Sequence, residues 1–243
     1  MYDPAGNANE KAVGDVVFEE ATPPSHAIDV VHRFVSLRTA PHLSADYRFH
    51  ALPDACTYVI FDQLDPRVCG VTRLRATSDE LNLGRRFHFT NIRLLPGTWS
   101  GDTEHGLIDT PYSGELPLLE YARRLAGLDF AAQQAVLLEL VETLIEIGVA
   151  GPNPTTQRIF DRIDEIHTVA DMAQVAFLSP RQLQRTMLHS TGFTPHDFLK
   201  IIRLQQSLRG PDQGSYADQS HFIRSFRTAT GYTPGQFSRK FDV

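Results

Sequence analysis

Arg181, Gln184 and Arg185 fall within five consecutive positions of the stretch SPRQLQRTMLHSTGFTP, residues 179–195. Arginine offers a planar fork of N–H donors that fits the two acceptors on a guanine edge. A glutamine amide matches the acceptor and donor pair of adenine, and each such pairing discriminates between bases by about 1 to 3 kcal/mol. This chemistry needs the three side chains to leave one rigid element. Leu183 and Met187, spaced i and i+4, give that element an inward stripe and leave Arg181, Gln182, Gln184, Arg185 and His189 to its other faces. An Arg and Gln face is by itself more often merely solvated. Its repetition raises it above that.

Residues 218–237, DQSHFIRSFRTATGYTPGQF, repeat residues 179–198 at an offset of 39. Leu183 pairs with Phe222, Arg185 with Arg224, Met187 with Phe226, Thr191-Gly192 with Thr230-Gly231, Thr194-Pro195 with Thr233-Pro234, and Phe198 with Phe237. The second copy holds Gln219, Ser220, Ile223 and Arg224 at the outward positions. Lys200, Arg203 and Arg227 are cations suited to phosphate oxygens, contacts that set register without reading sequence. Met187, Phe222 and Phe226 read as core, and His189 and His221 as surface or phosphate-adjacent groups rather than catalytic ones.

The elements that must carry these residues are helices. Ser179-Pro180 starts one, because serine accepts free amide hydrogens and proline is pre-shaped for the first turn. Gly192 ends it, and Thr194-Pro195 starts the next, which runs to about Leu208. Upstream, Ile159, Ile163 and Ile166 mark a first helix, and Thr168 and Asp171 have capping-box spacing before Met172, Ala173 and Val175. A helix, the turn Phe177-Leu178-Ser179 and a second capped helix predict a helix-turn-helix.

The front of the chain reads differently. Asp15 to Glu20, Tyr47 to Leu52, Cys56 to Asp62, Val68 to Ala76 and Arg86 to Leu95 are short β-branched or aromatic runs that predict strands, punctuated by turns at Pro53-Asp54 and Pro96-Gly97. Phe87, Phe89 and Ile92 break a strict period of two, which predicts a bulge or a strand buried on both faces. Ile28 to Leu37 fits a helix by spacing and a strand by composition. Helical periodicity begins with Leu116 to Leu125 and Phe130 to Ile147, stopped by Gly148. GVAGPNPTT, 148–156, has linker composition. The expected organisation is a tail over 1–14, a β-rich part with C-terminal helices over 15–150, and an all-α part over 155–243, an α+β chain.

Composition narrows the function. The 243 residues are 42% hydrophobic and 21% charged, enough for a sizeable core in two domains. No apolar run approaches a membrane span and residues 1–15 lack a signal-peptide layout, so a cytoplasmic protein without membrane contact is expected. Cys56 and Cys69 are expected to remain thiols. The net charge of −6 is uneven. Residues 1–154 hold 12 Lys and Arg against 21 Asp and Glu, whereas residues 155–243 hold 11 against 8. A positive C-terminal third on an acidic body permits DNA binding.

With these residues in view, positions 157–241 resemble the DNA-binding domain of the AraC/XylS family of bacterial transcription regulators. The resemblance lies in GFTP and GYTP after capped helices carrying Leu-Gln-Arg and Phe-Ile-Arg, in IIRLQQSL as the connecting helix, and in YADQSHFIRSFRTATGYTP near the C-terminus. ALPDACTYVIFD (51–62) and NIRLLPGTW (91–99) are similar, more weakly, to the N-terminal domain of one group in that family. The resemblance implies two helix-turn-helix units in successive major grooves of double-stranded DNA, with Arg181, Gln184, Arg185, Gln219, Ser220 and Arg224 as base readers and Lys200, Arg203 and Arg227 on phosphates. It further implies a sensor-like N-terminal domain taking a small-molecule effector or forming a homodimer, RNA polymerase as a partner if the chain activates, and no cofactor or enzymatic activity.

One departure limits the carry-over. The family's two units lie roughly ten residues further apart than 39. TVADMAQVAFL, 168–178, supports the first reading helix, while the aligned SLRGPDQGSYA, 207–217, must first finish the long helix and then meets Gly210-Pro211 and Gly214. The supporting helix of the second unit is therefore expected to be deleted, and helix 218–230 to be loosely held.

Two other functions are weighed. A metal-dependent enzyme of β-barrel type would draw on His50, His88 and His105, which have neither close ligand spacing nor a nucleophile and base arrangement. A DNA-binding-impaired partner acting through mixed dimers would use Leu137, Val141 and Leu144 as an interface stripe, although a core helix is the simpler reading. Arg73, Arg75, Arg86, Tyr58 and Trp99 are too scattered along the chain to name an effector pocket.

Overall fold

The computed structural model describes residues 2, 4, 9–10, 15–40, 42–72, 74–101, 110–209 and 219–242. In chain order the strands are β1 (Asn9–Glu10), β2 (Val16–Ala21), β3 (Val31–Thr39), β4 (Tyr47–Ala51), β5 (Thr57–Asp62), β6 (Cys69–Val71), β7 (Asp79–Gly84), β8 (His88–Leu94) and β9 (Phe241–Asp242). The helices are α1 (Leu118–Leu125), α2 (Phe130–Glu146), α3 (Pro154–Asp161), α4 (Val169–Val175), α5 (Pro180–Thr191), α6 (Pro195–Arg209), α7 (Gln219–Thr230) and α8 (Pro234–Lys240). Among the described residues an antiparallel β region is thus followed by helices, apart from the two residues of β9, and the α+β expectation is met.

Five strands form one antiparallel sheet in the order β2-β3-β8-β5-β6, and β4 pairs with β7 in a second. β5 alternates cleanly, with Thr57, Val59 and Phe61 buried and Tyr58, Ile60 and Asp62 half-buried. β8 lies between β3 and β5 and buries Phe89, Thr90, Ile92, Arg93 and Leu94, which explains its missing period of two. The irregularity anticipated in β8 sits opposite it, between Val31 and Arg33 of β3. The ambiguous stretch at 28–37 becomes the strand β3, because its β-branched side chains fill the middle of a sheet paired on both sides.

α1 and α2 close this core. Asp129 caps α2 by accepting from the Ala132 amide at 2.8 Å, and Gly148, at a φ of 79°, turns the chain away after it. Leu137, Leu140, Val141 and Leu144 are almost fully buried among Val31, Phe34, Ile92 and Leu94. The stripe considered for a mixed-dimer interface is therefore committed to the chain's own core.

Residues 148–156 are bonded onto the turn after β8. Gly151 N–H donates to the Thr98 carbonyl (2.9 Å), Asn153 Nδ2 to the Gly97 carbonyl (2.9 Å) and Thr156 Oγ1 to the Pro96 carbonyl (2.8 Å). Gly97 has a φ of 77°, and a Cβ there would stand 2.9 Å from Asn153 Nδ2, so this joint requires glycine.

Candidate nucleic-acid interface

α5 is built as its sequence predicts. Ser179 Oγ accepts from the Gln182 amide (3.3 Å), and Gln182 Oε1 accepts in return from the Ser179 amide (3.0 Å), a reciprocal capping box with Pro180 in the first turn. Gln182 is thereby committed to the cap. Gly192, at a φ of 69°, ends the helix. Leu183, Met187 and Thr191 are buried along one side, while Arg181, Gln184, Arg185, Leu188 and His189 are exposed on the other. Arg181, Gln184 and Arg185 share one outward surface, spaced i, i+3 and i+4.

The support of α5 comes from α4 and α6. The Thr168 and Asp171 capping box forms as expected, with Thr168 N–H donating to Asp171 Oδ2 (2.8 Å) and Asp171 N–H to Thr168 Oγ1 (3.2 Å). The His167 amide also donates to that carboxylate, and these bonds hold the Asp171 carboxyl below its usual range. Met172, Ala173, Leu183, Met187, Phe198 and Ile202 form the shared core. The turn between α4 and α5 carries Phe177 with a φ of 56° and 77% exposure, its ring 5.6 Å from the Arg158 guanidinium.

The second copy repeats the local chemistry. Thr191 Oγ1 donates to the Met187 carbonyl (2.7 Å) and accepts from the Phe193 amide; Thr230 Oγ1 donates to the Phe226 carbonyl (2.8 Å) and accepts from the Tyr232 amide. Gly231 has a φ of 80°, and Thr233 with Gln236 forms a capping box on α8. Gln219 opens α7; Ser220, Ile223, Arg224 and Arg227 are exposed. Phe226 is buried but Phe222 only partly so, whereas its counterpart Leu183 is fully buried. The expected deletion of a supporting helix falls on 210–218, outside the described residues.

α7 is nevertheless packed on its inner side, contrary to the expectation of a loosely held helix. Phe226 and Phe237 share a core with Leu204 of α6, Phe241 of β9 and Leu52, just after β4. Sequence periodicity could not have shown that a residue from the β-rich part completes this core.

The expected phosphate groups differ in their freedom. Lys200 Nζ pairs with Asp197 Oδ1 at 3.1 Å on the surface. Arg203 donates through Nη2 to the His167 carbonyl, tying α6 to the start of α4. Arg227 is exposed. Leu188 and Ile223, 44% and 38% exposed, stand on the outward faces beside Arg185 and Arg224. An apolar side chain there could meet a thymine methyl.

No protein-family model matches the chain, and no curated protein matches it. Two solved structures are similar to it. One is ToxT from Vibrio cholerae at 1.65 Å resolution, 9% identical, with a TM-score of 0.43 over 91% of this chain and 96% of that one. The other is wild-type ToxT from Vibrio cholerae strain SCE256 with a bound unsaturated fatty acid, 9% identical, with a TM-score of 0.40 over 98% and 96%. Likeness at this level assigns no residue a role here.

In the β-rich part Tyr58, one of the residues considered for an effector pocket, lies in a polar cluster with Asp54, Arg93, Glu20 and His32. Tyr58 donates to Asp54 Oδ2, and the buried Arg93 guanidinium lies over the Tyr58 ring at 5.6 Å. Arg93 Nη2 is 3.1 Å from Glu20 Oε1, close enough for an ion pair though not aligned as a hydrogen bond, and Nη1 is 3.3 Å from His32 Nδ1. Burial pushes the Asp54 carboxyl up, with Arg93 opposing. Arg86 is elsewhere, with Arg38, His42 and His88 in a cleft of about 580 Å³ beside Phe87 and Phe130. Arg73 and His105 lie outside the described residues. Among the described residues no three His, Cys, Asp or Glu side chains converge to hold a metal ion, and no helix is long and apolar enough to cross a membrane.

Proposed function

We propose that this chain is a sequence-specific binder of double-stranded DNA that regulates transcription, reading bases with Arg181, Gln184 and Arg185 of α5. The observation that carries this reading is the outward face of α5: three base-matching side chains, exposed together on a helix fixed by a capping box and by α4 and α6. Arginine supplies the bidentate guanine contact and Gln184 the adenine contact, while Lys200 and Arg227 supply phosphate contacts that fix the docking. The positive balance of residues 155–243 supports association with a polyanion. On the same reading Ser220 and Arg224 of α7 form a second contact. The cleft of about 580 Å³ beside Arg38, Arg86 and Phe130 offers room for a small effector.

Selection of bound sequences from a random pool of duplex DNA, at a stated salt concentration, tests this reading. A defined motif should emerge, and Arg181→Ala and Arg185→Ala should each weaken binding to it by about 10-fold or more, equivalent to the 1 to 3 kcal/mol of a bidentate contact. Recovery of random sequence only would sink it.

A further inference from the structure

The first unit spends seven residues on α4 and four more, 176–179, on the turn into α5. Only nine residues, 210–218, separate α6 from α7, too few to repeat that arrangement even with no link to it. A reading helix without a supporting helix should expose its inner side to water, since burial of a large apolar side chain is the main force that holds such a helix. Phe226 and Thr230 of α7 are instead buried.

The surface that covers them comes from the second sheet and the turns at its ends. Leu52, 2% exposed, joins Phe226, Phe237, Phe241 and Leu204 in one apolar cluster. The buried His50 of β4 stacks on Phe241 with centroids 5.0 Å apart, meets Tyr232 edge to face at 5.4 Å, and places Nε2 2.9 Å from the Thr230 carbonyl. Ser78 N–H, just before β7, donates to the Ala229 carbonyl at 2.7 Å. Gln205 Nε2 of α6 donates to the Pro53 carbonyl at 2.8 Å, and β1 pairs with β9 beyond α8. Two of these bonds meet carbonyls in the last turn of α7, which helices leave unsatisfied. The contacts of Leu52, His50 and Ser78 reach the inner or C-terminal side of α7, and the Gln205 and β1 bonds tie the neighbouring α6 and β9 to the same β-rich part, while Ser220, Ile223, Arg224 and Arg227 stay exposed.

We propose that the β4 and β7 pair replaces the supporting helix of the second unit, with Leu52 and His50 as positioning residues that present α7 to DNA. The β-rich part is thereby a structural member of the second DNA contact, and any change in β4 alters how Arg224 is aimed. This inference rests on the DNA-binding reading above for its function, though not for the packing itself.

The test uses the full chain and duplex DNA carrying the sequence that the wild type selects. Hydroxyl-radical footprinting should show two protected patches on one face of the DNA. Leu52→Ala and Arg224→Ala should each erase the second patch and lower affinity at least tenfold, leaving the first patch, which needs Arg181 and Arg185. Amide exchange on the free protein should then rise tenfold or more across 226–230 in Leu52→Ala with α5 unchanged. If loss of protection in α5 shows that this variant unfolds, His50→Ala takes its place with the same expectations. A single patch in the wild type, two intact patches in the variants, or unaltered exchange over 226–230 would overturn the proposal. A chain that binds no DNA would remove the DNA-binding reading, while the exchange comparison would still decide whether β4 holds α7.

Discussion

His50 Nε2 lies 2.9 Å from the carbonyl oxygen of Thr230, a residue 180 positions further along the chain. The contact joins a strand of the β-rich part to the last turn of a helix whose other side is exposed. Replacement of His50 by alanine leaves that buried carbonyl without this donor, which costs about 1 to 3 kcal/mol. His50→Ala should lose stability in that range in urea titrations. No change in midpoint would mean that the bond and the ring stacking on Phe241 contribute nothing to the fold.

Ser179 stands at the point where the proposed reading helix begins. Removal of a helix N-cap hydroxyl costs about 1 kcal/mol, within a range of about 0.5 to 2. Ser179→Ala should lower stability by that amount and loosen the turn that carries Arg181, so DNA affinity should fall as well. Thr233→Ala on α8 should cost similar stability but leave the α5 contacts to DNA intact. Equal effects of the two variants on DNA binding would argue that capping acts only through global stability.

Phe177 holds a left-handed backbone conformation at a φ of 56° while being 77% exposed. A side chain other than Gly, Asn or Asp is strained there by about 1 to 2 kcal/mol, and the exposed contact with Arg158 returns about 0.5 to 1 kcal/mol. Asparagine tolerates the conformation without glycine's added entropy cost, and a β-branched residue tolerates it worst. Melting temperatures should therefore rank Phe177→Asn at or above the wild type and Phe177→Val clearly below. A Val variant as stable as the wild type would show that this turn is not left-handed in solution.

Most of the helical half was legible because its signals are local. Ser179-Pro180, Thr168 with Asp171, and Gly192 are caps written into a few adjacent positions, and each forms as its sequence predicts. β7 was not legible: DELNLG has no β-branched residue, and it becomes a strand through pairing with β4 and packing of Leu83. The predicted strand over Val68 to Ala76 narrows to Cys69–Val71, since only that segment finds a partner in β5. The support of α7 was beyond reach for the same reason. Leu52 and Phe226 are 174 positions apart, and neither residue type nor spacing encodes their meeting.

Asp171 gives the first unit a defined acid sensitivity. Amide donation by His167, and bonding to Thr168, hold its carboxyl below the value of 3.8 that it takes when unfolded. A depressed carboxyl stabilises the fold at pH values above 3.8, and that stabilisation disappears as pH falls through the folded value. Wild type and Asp171→Ala should differ in melting temperature at pH 6, and the gap should narrow as pH falls through the depressed folded value. A gap that persists unchanged at low pH would mean that the carboxylate charge plays no part in the cap.

Arg203 and Arg227 both carry a guanidinium suited to phosphate, and the structure separates their duties. Arg203 donates to the His167 carbonyl at the entrance to α4, so its loss removes a bond between two helices of the first unit. Arg227 stands exposed on α7 beside Arg224. Each phosphate contact adds about 0.9 to the slope of log affinity against log salt. Arg227→Ala should reduce that slope by about 1 with unchanged stability. Arg203→Ala should lower the unfolding midpoint and shift DNA affinity mainly through the population of folded chain, leaving the slope nearly as it was. Affinity measured from 50 to 200 mM salt, beside urea titrations, distinguishes the two, and a slope change for Arg203→Ala equal to that for Arg227→Ala would place both arginines on the phosphates.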